Sequence, residues 1–285
     1  MNLNNFINVG SECEKYKLFS KKFKKLRNKY GITEAFYKDE LSKSKFIIGA
    51  GKSGAKMWLS KNKIFFIKEI SKSDKNEFKR ILDAYFKYIN LNKNTLLPKF
   101  FGIYKKENIS YIVQKNLNPF KTGSWLYDLK GSHRGRTVIN HKINKVGKDN
   151  NFGDTKILLN NSRKLKNQIK KDTAFLENYK LMDYSLFICL RDNPIKNKDW
   201  GFWGKSKYCC YIKGPGPSKP SPININIGII DILQKYNIKK QIESYYRTKQ
   251  HITHRELSEV SAINPKGYKI RFDNYITNIF KNKKK

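Results

Sequence analysis

At 285 residues the chain is long enough for one large domain or two small ones, and its 39% hydrophobic and 14% aromatic content excludes a disordered basic tail. The formal net charge of +37 points to nucleic acid, an anionic membrane surface or a phosphorylated substrate, with a merely solvated lysine-rich face as the plain alternative. The start, MNLNNFINVGSEC, lacks the charged and apolar regions of a signal peptide, and no apolar run approaches the roughly 20 residues that span a bilayer. A chain that is soluble, or that sits on a membrane without crossing it, is expected.

Cys13, Cys189, Cys209 and Cys210 form no CxxC or Cys/His metal spacing, so free structural thiols in a reducing compartment are expected. Residues 14–40 read as basic and helical. From Lys45 to Ile70 the pattern is strand, glycine turn, strand, turn, strand. KNEFKRILDAYFKYI carries Phe78, Ile81, Leu82, Tyr85, Phe86 and Ile89 at spacings of three and four, which predicts an amphipathic helix. LLPKFFGIYKKENISYIVQKNL predicts two strands around a polar turn near Glu107 and Asn108. Residues 120–160 read as loop-rich, 162–182 as helix and 184–190 as strand. KYCCYIK and INIGIIDIL predict two further strands separated by GPGPSKPSPIN, a loop by composition. Asn264 and Pro265 predict the N-cap and first position of a last helix carrying Tyr268, Phe272, Tyr275, Ile276 and Ile279, and KNKKK a disordered tail. A strand-rich first part and a mixed second part suggest two lobes with a cleft between them.

Gly49, Gly51 and Gly54 lie between two strand-like runs, where glycines let a backbone present N–H groups to phosphates. No helix follows them, so the dinucleotide fingerprint fails, whereas a glycine loop followed by a lysine-bearing strand fits a kinase arrangement. In IFFIKEI strand alternation puts Phe66, Lys68 and Ile70 on one face, and a lysine on an apolar surface needs an anion such as a nucleotide phosphate. Glu77, on the border of the helix stripe, is the candidate partner of Lys68; alone it would read as a surface residue. Asp231 ends the run Ile225 to Ile230, where a carboxylate calls for either a bound Mg²⁺ or a helix N-cap. Asp183 stands at a second such seam, between the helix-like DTAFLENYKLM and the strand-like YSLFICL, and there must cap, pair or do chemistry.

These residues together are similar to a known family. GKSGAKMWL, FFIKEI, EFKRIL, TLLPKFFGIY, YDLKGSHRGR, DTAFLENYKLMDYSLF, IGIIDILQKYNIKKQIE and INPKGYKIRFDNYI follow one another as the corresponding segments do in phosphatidylinositol phosphate kinases. DLKGS, MDYSL and IIDIL are the most specific of them. The resemblance implies an α+β, two-lobed kinase-like fold forming a single lipid kinase catalytic domain. It implies an antiparallel sheet in an N-lobe of about 14–117, and a mixed α/β C-lobe of about 118–280 with an activation and specificity loop at 232–262.

ATP and Mg²⁺ are the implied cofactors. Gly51, Lys52, Ser53, Gly54, Lys68, Glu77, Gln114 and Asn116 are the implied nucleotide-side residues, and Asp231 the implied Mg²⁺ ligand. Asp183 is the implied catalytic carboxylate, with Lys130 as the cation near the transferred phosphoryl group and Asp128 beside it; Tyr184 and Ser185 are expected to hold the turn rather than react. The family's specificity loop carries a lysine pair, here Lys239 and Lys240, and a substrate-tracking position twelve past the metal aspartate, here Glu243. Glutamate there resembles the enzymes that phosphorylate phosphatidylinositol 4-phosphate at the 5-position, although the 3-phosphate branch tends to carry it too; alanine is typical of the 5-phosphate branch. Ile238, Ile242 and Tyr245 among lysines suggest a loop that lies on anionic lipid.

The implied partners are an anionic membrane surface and a phosphoinositide, with no nucleic acid, a cytoplasmic location peripheral to membranes, and homodimerisation left open. Little of the chain lies outside the resembling region, so accessory targeting modules are expected to be absent. Phe187 stands where the family usually has leucine, and His133 where threonine is common. The alternatives are a phosphoinositide-binding pseudokinase or scaffold, a kinase for the 3- or 5-phosphate lipid, and a kinase for soluble inositol phosphates.

Overall fold

The computed structural model describes residues 17–47, 55–106, 108–118, 123–191, 208–213, 223–236 and 264–283. They fall into two compact units: one comprises Met1–Leu91 and Pro98–Lys121, the other Asn92–Leu97 and Thr122–Lys285. Both combine helices with largely antiparallel sheet, so the class is α+β.

The first unit holds α1 (Lys17–Lys29), α2 (Glu34–Ser42), α3 (Lys72–Leu91) and five strands: β1 (Lys45–Ile47), β2 (Met57–Leu59), β3 (Phe65–Ile70), β4 (Phe100–Lys106) and β5 (Ile109–Lys115). The strands pair antiparallel throughout in the order β1-β2-β3-β5-β4. The periodicity that predicted α3 is the face it buries: Phe78, Ile81, Leu82, Tyr85, Phe86 and Ile89. Aromatic rings do much of the packing. Phe100 lies against Phe78 and Tyr85 of α3, while Phe65 lies edge-on to Tyr37 of α2 and to Phe101. Such pairs add to plain area burial through their edge-to-face geometry.

A buried carboxylate fixes the turn from β2 to β3. Glu40 accepts from the Ser60 hydroxyl at 2.7 Å and the Asn62 backbone N–H at 3.0 Å, and Ser60 Oγ in turn accepts from the N–H groups of Ile64 and Phe65.

The second unit is built on a seven-stranded sheet. Its strands are β6 (Trp125–Leu129), β7 (Val146–Gly147), β8 (Lys156–Leu159), β10 (Ser185–Arg191), β11 (Tyr208–Lys213), β12 (Ile223–Ile230) and β14 (Phe280–Asn282), in the order β14-β8-β11-β12-β10-β6-β7. All neighbours are antiparallel except β14 with β8 and β6 with β7. A separate two-stranded ladder joins β9 (Leu181–Met182) to β13 (Gln234–Lys235). The helices are the short α4 (Asp149–Phe152), α5 (Ser162–Asn178) and α6 (Pro265–Ile279).

Asn264 caps α6 as its sequence predicts, accepting from Gly267 N–H at 2.8 Å. Three expectations are corrected. Residues 120–160 contain three strands and α4, too short to show a period. The first residues of KNKKK are part of β14, parallel to β8, instead of tail. The helix expected to run to 182 ends at Asn178, and Leu181 and Met182 form β9. The GPGPSKPSPIN loop lies almost wholly outside the described residues, its last two positions opening β12. Cys189 is a buried thiol outside any disulfide, pushed up to about 12 by burial, while Cys13 lies outside the described residues.

Asn92–Leu97 joins the second unit through one buried acid on α5. Asp172 accepts from the Thr95 hydroxyl at 2.7 Å, Leu96 N–H at 2.7 Å and the Gln168 amide at 2.9 Å, while Leu96 O accepts from Ile229 N–H. Removing that acceptor strands the buried Thr95 hydroxyl and the half-buried Leu96 N–H, so Asp172→Ala should lower unfolding stability by about 3 kcal/mol. Urea denaturation followed by far-UV circular dichroism measures it, and a loss under about 1 kcal/mol would contradict the assignment.

Candidate active site

In the second unit three strand ends meet. β10 pairs on one side with β12, Ser185 opposite Ile230, and on the other with β6, Leu186 opposite Leu129. Lys130 therefore leaves β6, Asp183 precedes β10 and Asp231 follows β12 at the same end of the sheet. Beyond both aspartates the two chains pair again, because β9 and β13 put Met182 opposite Gln234 and Leu181 opposite Lys235. A bond from Tyr236 N–H to Lys180 O extends that second ladder. Asp183 and Asp231 thus sit in the kink between two ladders. Both have left-handed backbone, φ 60° and 58°. A non-glycine residue pays about 1–2 kcal/mol for that conformation, least so for Asp and Asn, and holds it only where its surroundings fix it. Here the ladders on either side do so.

Lys130 Nζ lies 3.9 Å from Asp183 Oδ1, a loose ion pair whose side chains are each 20% exposed. The loop after Lys130 is gathered by Asp149, which is fully buried. Its Oδ1 accepts from the N–H groups of Lys130 at 2.9 Å, Gly131 at 2.7 Å and Ser132 at 3.3 Å, and its Oδ2 from Arg136 Nε at 2.7 Å. Arg136 also donates to Asp128 Oδ1 at 2.9 Å and to the Asp128 carbonyl. Asp128 is thus joined to Arg136, and through it to Asp149. His133 fits the loop well: its Nδ1 lies 2.9 Å from Asn150 Oδ1, and its carbonyl accepts from the Asn150 amide.

Helix α6 supports both loops. Tyr268 Oη donates to the carbonyl of Tyr184 at 2.5 Å, the residue directly after Asp183. The Tyr184 ring packs edge-on against Tyr268 and Phe272. Arg271 is buried with its guanidinium 4.8 Å from the Tyr268 ring centre. Burial lowers its pKa, opposed by Tyr268, Asp149, Asp183 and Tyr184 nearby. Burial also raises the pKa of the Tyr184 and Tyr268 hydroxyls well above the ordinary range, so both are neutral at physiological pH. Neither the Tyr184 hydroxyl nor the Ser185 hydroxyl has a hydrogen-bond partner among the described residues, so no base activates them as nucleophiles. They hold the turn, as expected.

Asp231 itself is exposed, and the chain beyond it forms a turn and then β13. The N-cap alternative is overturned, as is the premise that the carboxylate is buried. Among the described residues no cluster of three or more His, Cys, Asp or Glu side chains forms a metal site. An exposed carboxylate suits Mg²⁺ held jointly with nucleotide phosphates, since Mg²⁺ takes oxygen ligands and keeps several from water and phosphate.

In the first unit Lys68 stands opposite Met57 and Ile112 on the neighbouring strands. Its face carries half-buried Phe66, while Phe65 and Ile67 on the other face are fully buried. Glu77 is inside α3's packed face, only 6% exposed, and its carboxylate accepts from Arg80 one turn on. Gln114 lies in β5 opposite Phe66. Asn116 closes the chain on itself: its amide donates to Lys63 O at 2.7 Å and Asn118 O at 2.8 Å, and its oxygen accepts from Asn118 N–H at 3.0 Å. With both amide hydrogens so engaged, its side chain clasps the chain just beyond β5. Gly51, Lys52, Ser53 and Gly54 lie outside the described residues, as do Lys239, Lys240 and Glu243.

Residues 39–203 and 213–279 match the family model described as Phosphatidylinositol-4-phosphate 5-Kinase. The chain belongs to that family. It is 29% identical to a Gallus gallus protein named phosphatidylinositol 5-phosphate 4-kinase type-2 alpha, with 90% of this chain and 76% of the relative covered. It is 26% identical to phosphatidylinositol 4-phosphate 5-kinase 3 of Arabidopsis thaliana, covering 90% of this chain and 44% of that one. With phosphatidylinositol 4-phosphate 5-kinase of Plasmodium falciparum it shares 28% identity over 91% of its own length and 18% of the relative's. The chain therefore spans less than half of the plant and Plasmodium relatives. Kinases named for two different lipid isomers are about equally similar to it.

Against this kinase family the departures are absorbed locally. Phe187, where leucine is usual, has Gly228 as its partner on β12, and the missing side chain leaves room. Asp149, Arg136, Tyr268 and Arg271 escaped the sequence reading as parts of the site. The one signal was Asp149, second in KDNNF, a stretch that resembles an ordinary polar turn.

Gly131 has φ +66°, and a Cβ there would lie 2.9 Å from Tyr275 Cβ; Gly135 has φ +67° with open space around it. Gly135→Ala should cost about 1 kcal/mol for backbone strain alone, and Gly131→Ala about 3 kcal/mol because α6 must also yield. Urea unfolding of the two variants side by side measures the difference, and equal losses would contradict the packing of α6 under this loop.

Proposed function

We propose that the chain is an ATP- and Mg²⁺-dependent lipid kinase that converts phosphatidylinositol 4-phosphate to phosphatidylinositol 4,5-bisphosphate, with both units forming one catalytic domain of the two-lobed kinase-like type. The observation that carries this reading is the convergence of Lys130, Asp183 and Asp231 at the ends of three neighbouring strands. Phosphoryl transfer needs little covalent help from a protein. It needs an acceptor hydroxyl held in line, positive charge where negative charge develops, and fixed phosphates.

Each residue then has a task. The Asp183 carboxylate orients the inositol 5-hydroxyl and takes its proton as the oxygen bonds to the γ-phosphorus and the bond to the ADP oxygen breaks. Lys130 Nζ, 3.9 Å from that carboxylate, offsets charge on the transferred group. Asp128, through Arg136 and Asp149, holds the loop that carries Lys130. Asp231 would hold the Mg²⁺, which when bound neutralises charge on the nucleotide phosphates. Lys68, steadied by the Glu77 helix, contacts those phosphates, as do the backbone of Gly51 and Gly54, Lys52 and Ser53, with Gln114 lining the nucleotide side. Lys239, Lys240 and Glu243 belong to substrate choice, and a basic surface holds the enzyme on the cytoplasmic face of an anionic membrane.

The choice of the 4-phosphate lipid rests on Glu243. The 5-phosphate lipid is the second reading, favoured by the similarity to the type-2 alpha kinase. Transfer of labelled phosphate from ATP to vesicles bearing each phosphatidylinositol monophosphate in turn tests both. Labelling of the 4-phosphate lipid, reduced about a hundredfold or more in Asp183→Asn and Asp231→Asn, is the expected result. Preference for the 5-phosphate isomer would establish the second reading. Turnover unchanged in both variants would refute the assigned roles, and vesicle binding without any labelling would leave a phosphoinositide sensor.

A further inference from the structure

The segment from Gly131 to Lys148 contains no acidic residue and five Lys or Arg, yet in its middle stand two isoleucines turned to solvent. Ile139 is 80% exposed and Ile143 47%. Scattered exposed aliphatic residues are ordinary, but this pair sits on a loop that is firmly built. Asn151 clasps Val138 from both sides, donating to its carbonyl at 3.0 Å and accepting from its N–H at 2.8 Å. Asn144 N–H donates to Ser124 O at 2.8 Å while its side chain accepts from Ser124 N–H at 3.2 Å. The His141 ring lies against Trp125 and Tyr127 of β6, where it fills the space beside Gly147. Lys145 N–H closes a turn onto Lys142 O, and Lys145 Nζ donates to Ile139 O at 2.7 Å. Asn140 and Asn144 take left-handed backbone, φ 54° and 65°, on either side of the turn.

A loop fixed at so many points holds its isoleucines outward. Their exposed side chains share the turn with Lys142 and Lys145, with Arg134 a few residues before. Apolar side chains amid cations, with no carboxylate to repel phosphates, are complementary to the interface of an anionic bilayer. There the aliphatic groups enter the acyl boundary and the long basic stems reach back to the headgroups. Because the loop is already ordered, docking loses little conformational entropy.

We infer that residues 138–145 form a membrane-inserting loop, with Ile139 and Ile143 as its apolar anchors and Lys142 as its headgroup contact. The inference rests on the lipid kinase reading for its partner, but its chemistry is that of any anionic lipid surface and does not require the phosphoinositide itself.

The test uses the full chain and vesicles of phosphatidylcholine with phosphatidylserine. Ile139→Asn/Ile143→Asn should bind these vesicles about tenfold more weakly than wild type. Transfer to a short-chain, water-soluble phosphatidylinositol monophosphate below its aggregation threshold should stay within about twofold, since neither residue belongs to the catalytic set. That soluble assay reports on the kinase reading alone, so an inactive wild type would fail that reading and leave the vesicle result standing. Ile139→Trp supplies the direct readout. The added emission, taken as the difference from wild type, should shift to the blue and be quenched by brominated lipid. Vesicle-bound protein whose added tryptophan is neither shifted nor quenched would overturn the proposal. Undiminished vesicle binding by the double asparagine variant would overturn it too. So would a wild-type dimer that the double variant loses, since the pair would then serve a second copy of the chain.

Discussion

Two ladders of backbone hydrogen bonds hold the strand ends of the second unit in place. β10 with β12 lies on one side of Asp183 and Asp231, β9 with β13 on the other. Between the ladders one chain has two residues and the other three, so the backbones cannot stay extended there, and both aspartates take the left-handed conformation that absorbs the mismatch. The backbone positions of the two aspartates are therefore a property of sheet register. What remains for the side chains is to bring a cation to the same end of the sheet. Asp149 does this by collecting three successive N–H groups from the loop that carries Lys130, with α6 as the floor beneath.

Long elements with a clear period were legible in the sequence because burial and period are the same fact there. The stripe Phe78 to Ile89 of α3, the hairpin of β4 and β5, and the Asn264–Pro265 start of α6 are of this kind. Several of the shortest elements of the second unit were not legible. β7, β8 and α4 carry too few side chains to show alternation, and β9 and β13 exist only because each finds the other. Family resemblance supplied Asp183, Lys130 and Asp231, but their support was invisible. Asp149 and Arg271 are charged residues in polar-looking stretches, and nothing local distinguishes a buried acid that binds backbone from one that faces water. Asp231 was singled out through a premise that failed: its run of isoleucines is largely buried, but the aspartate is exposed, one residue beyond the strand.

The same economy recurs in both units. Glu40 binds the β2–β3 turn, Asp172 binds Asn92–Leu97, and Asp149 binds the Lys130 loop. Each is a carboxylate without exposure that accepts backbone N–H groups where the chain turns and cannot pair with itself. In a chain with 23 acidic residues against 60 basic ones, a buried carboxylate is also shielded from competition by other acids. The extreme basicity thus leaves the internal fastening intact, because the fastening relies on backbone donors more than on lysines.

The second ladder has a consequence for how such chains diversify. Tyr236 is tied to Lys180, and Asn264 caps α6, so each of these described ends is fastened by a hydrogen bond of its own. The register that sets the two aspartates is closed within the ladders and does not need further chain to hold it. Geometry that rests on strand register is passed on with the ladders themselves, so the left-handed turns at Asp183 and Asp231 can outlast wide change in the side chains around them.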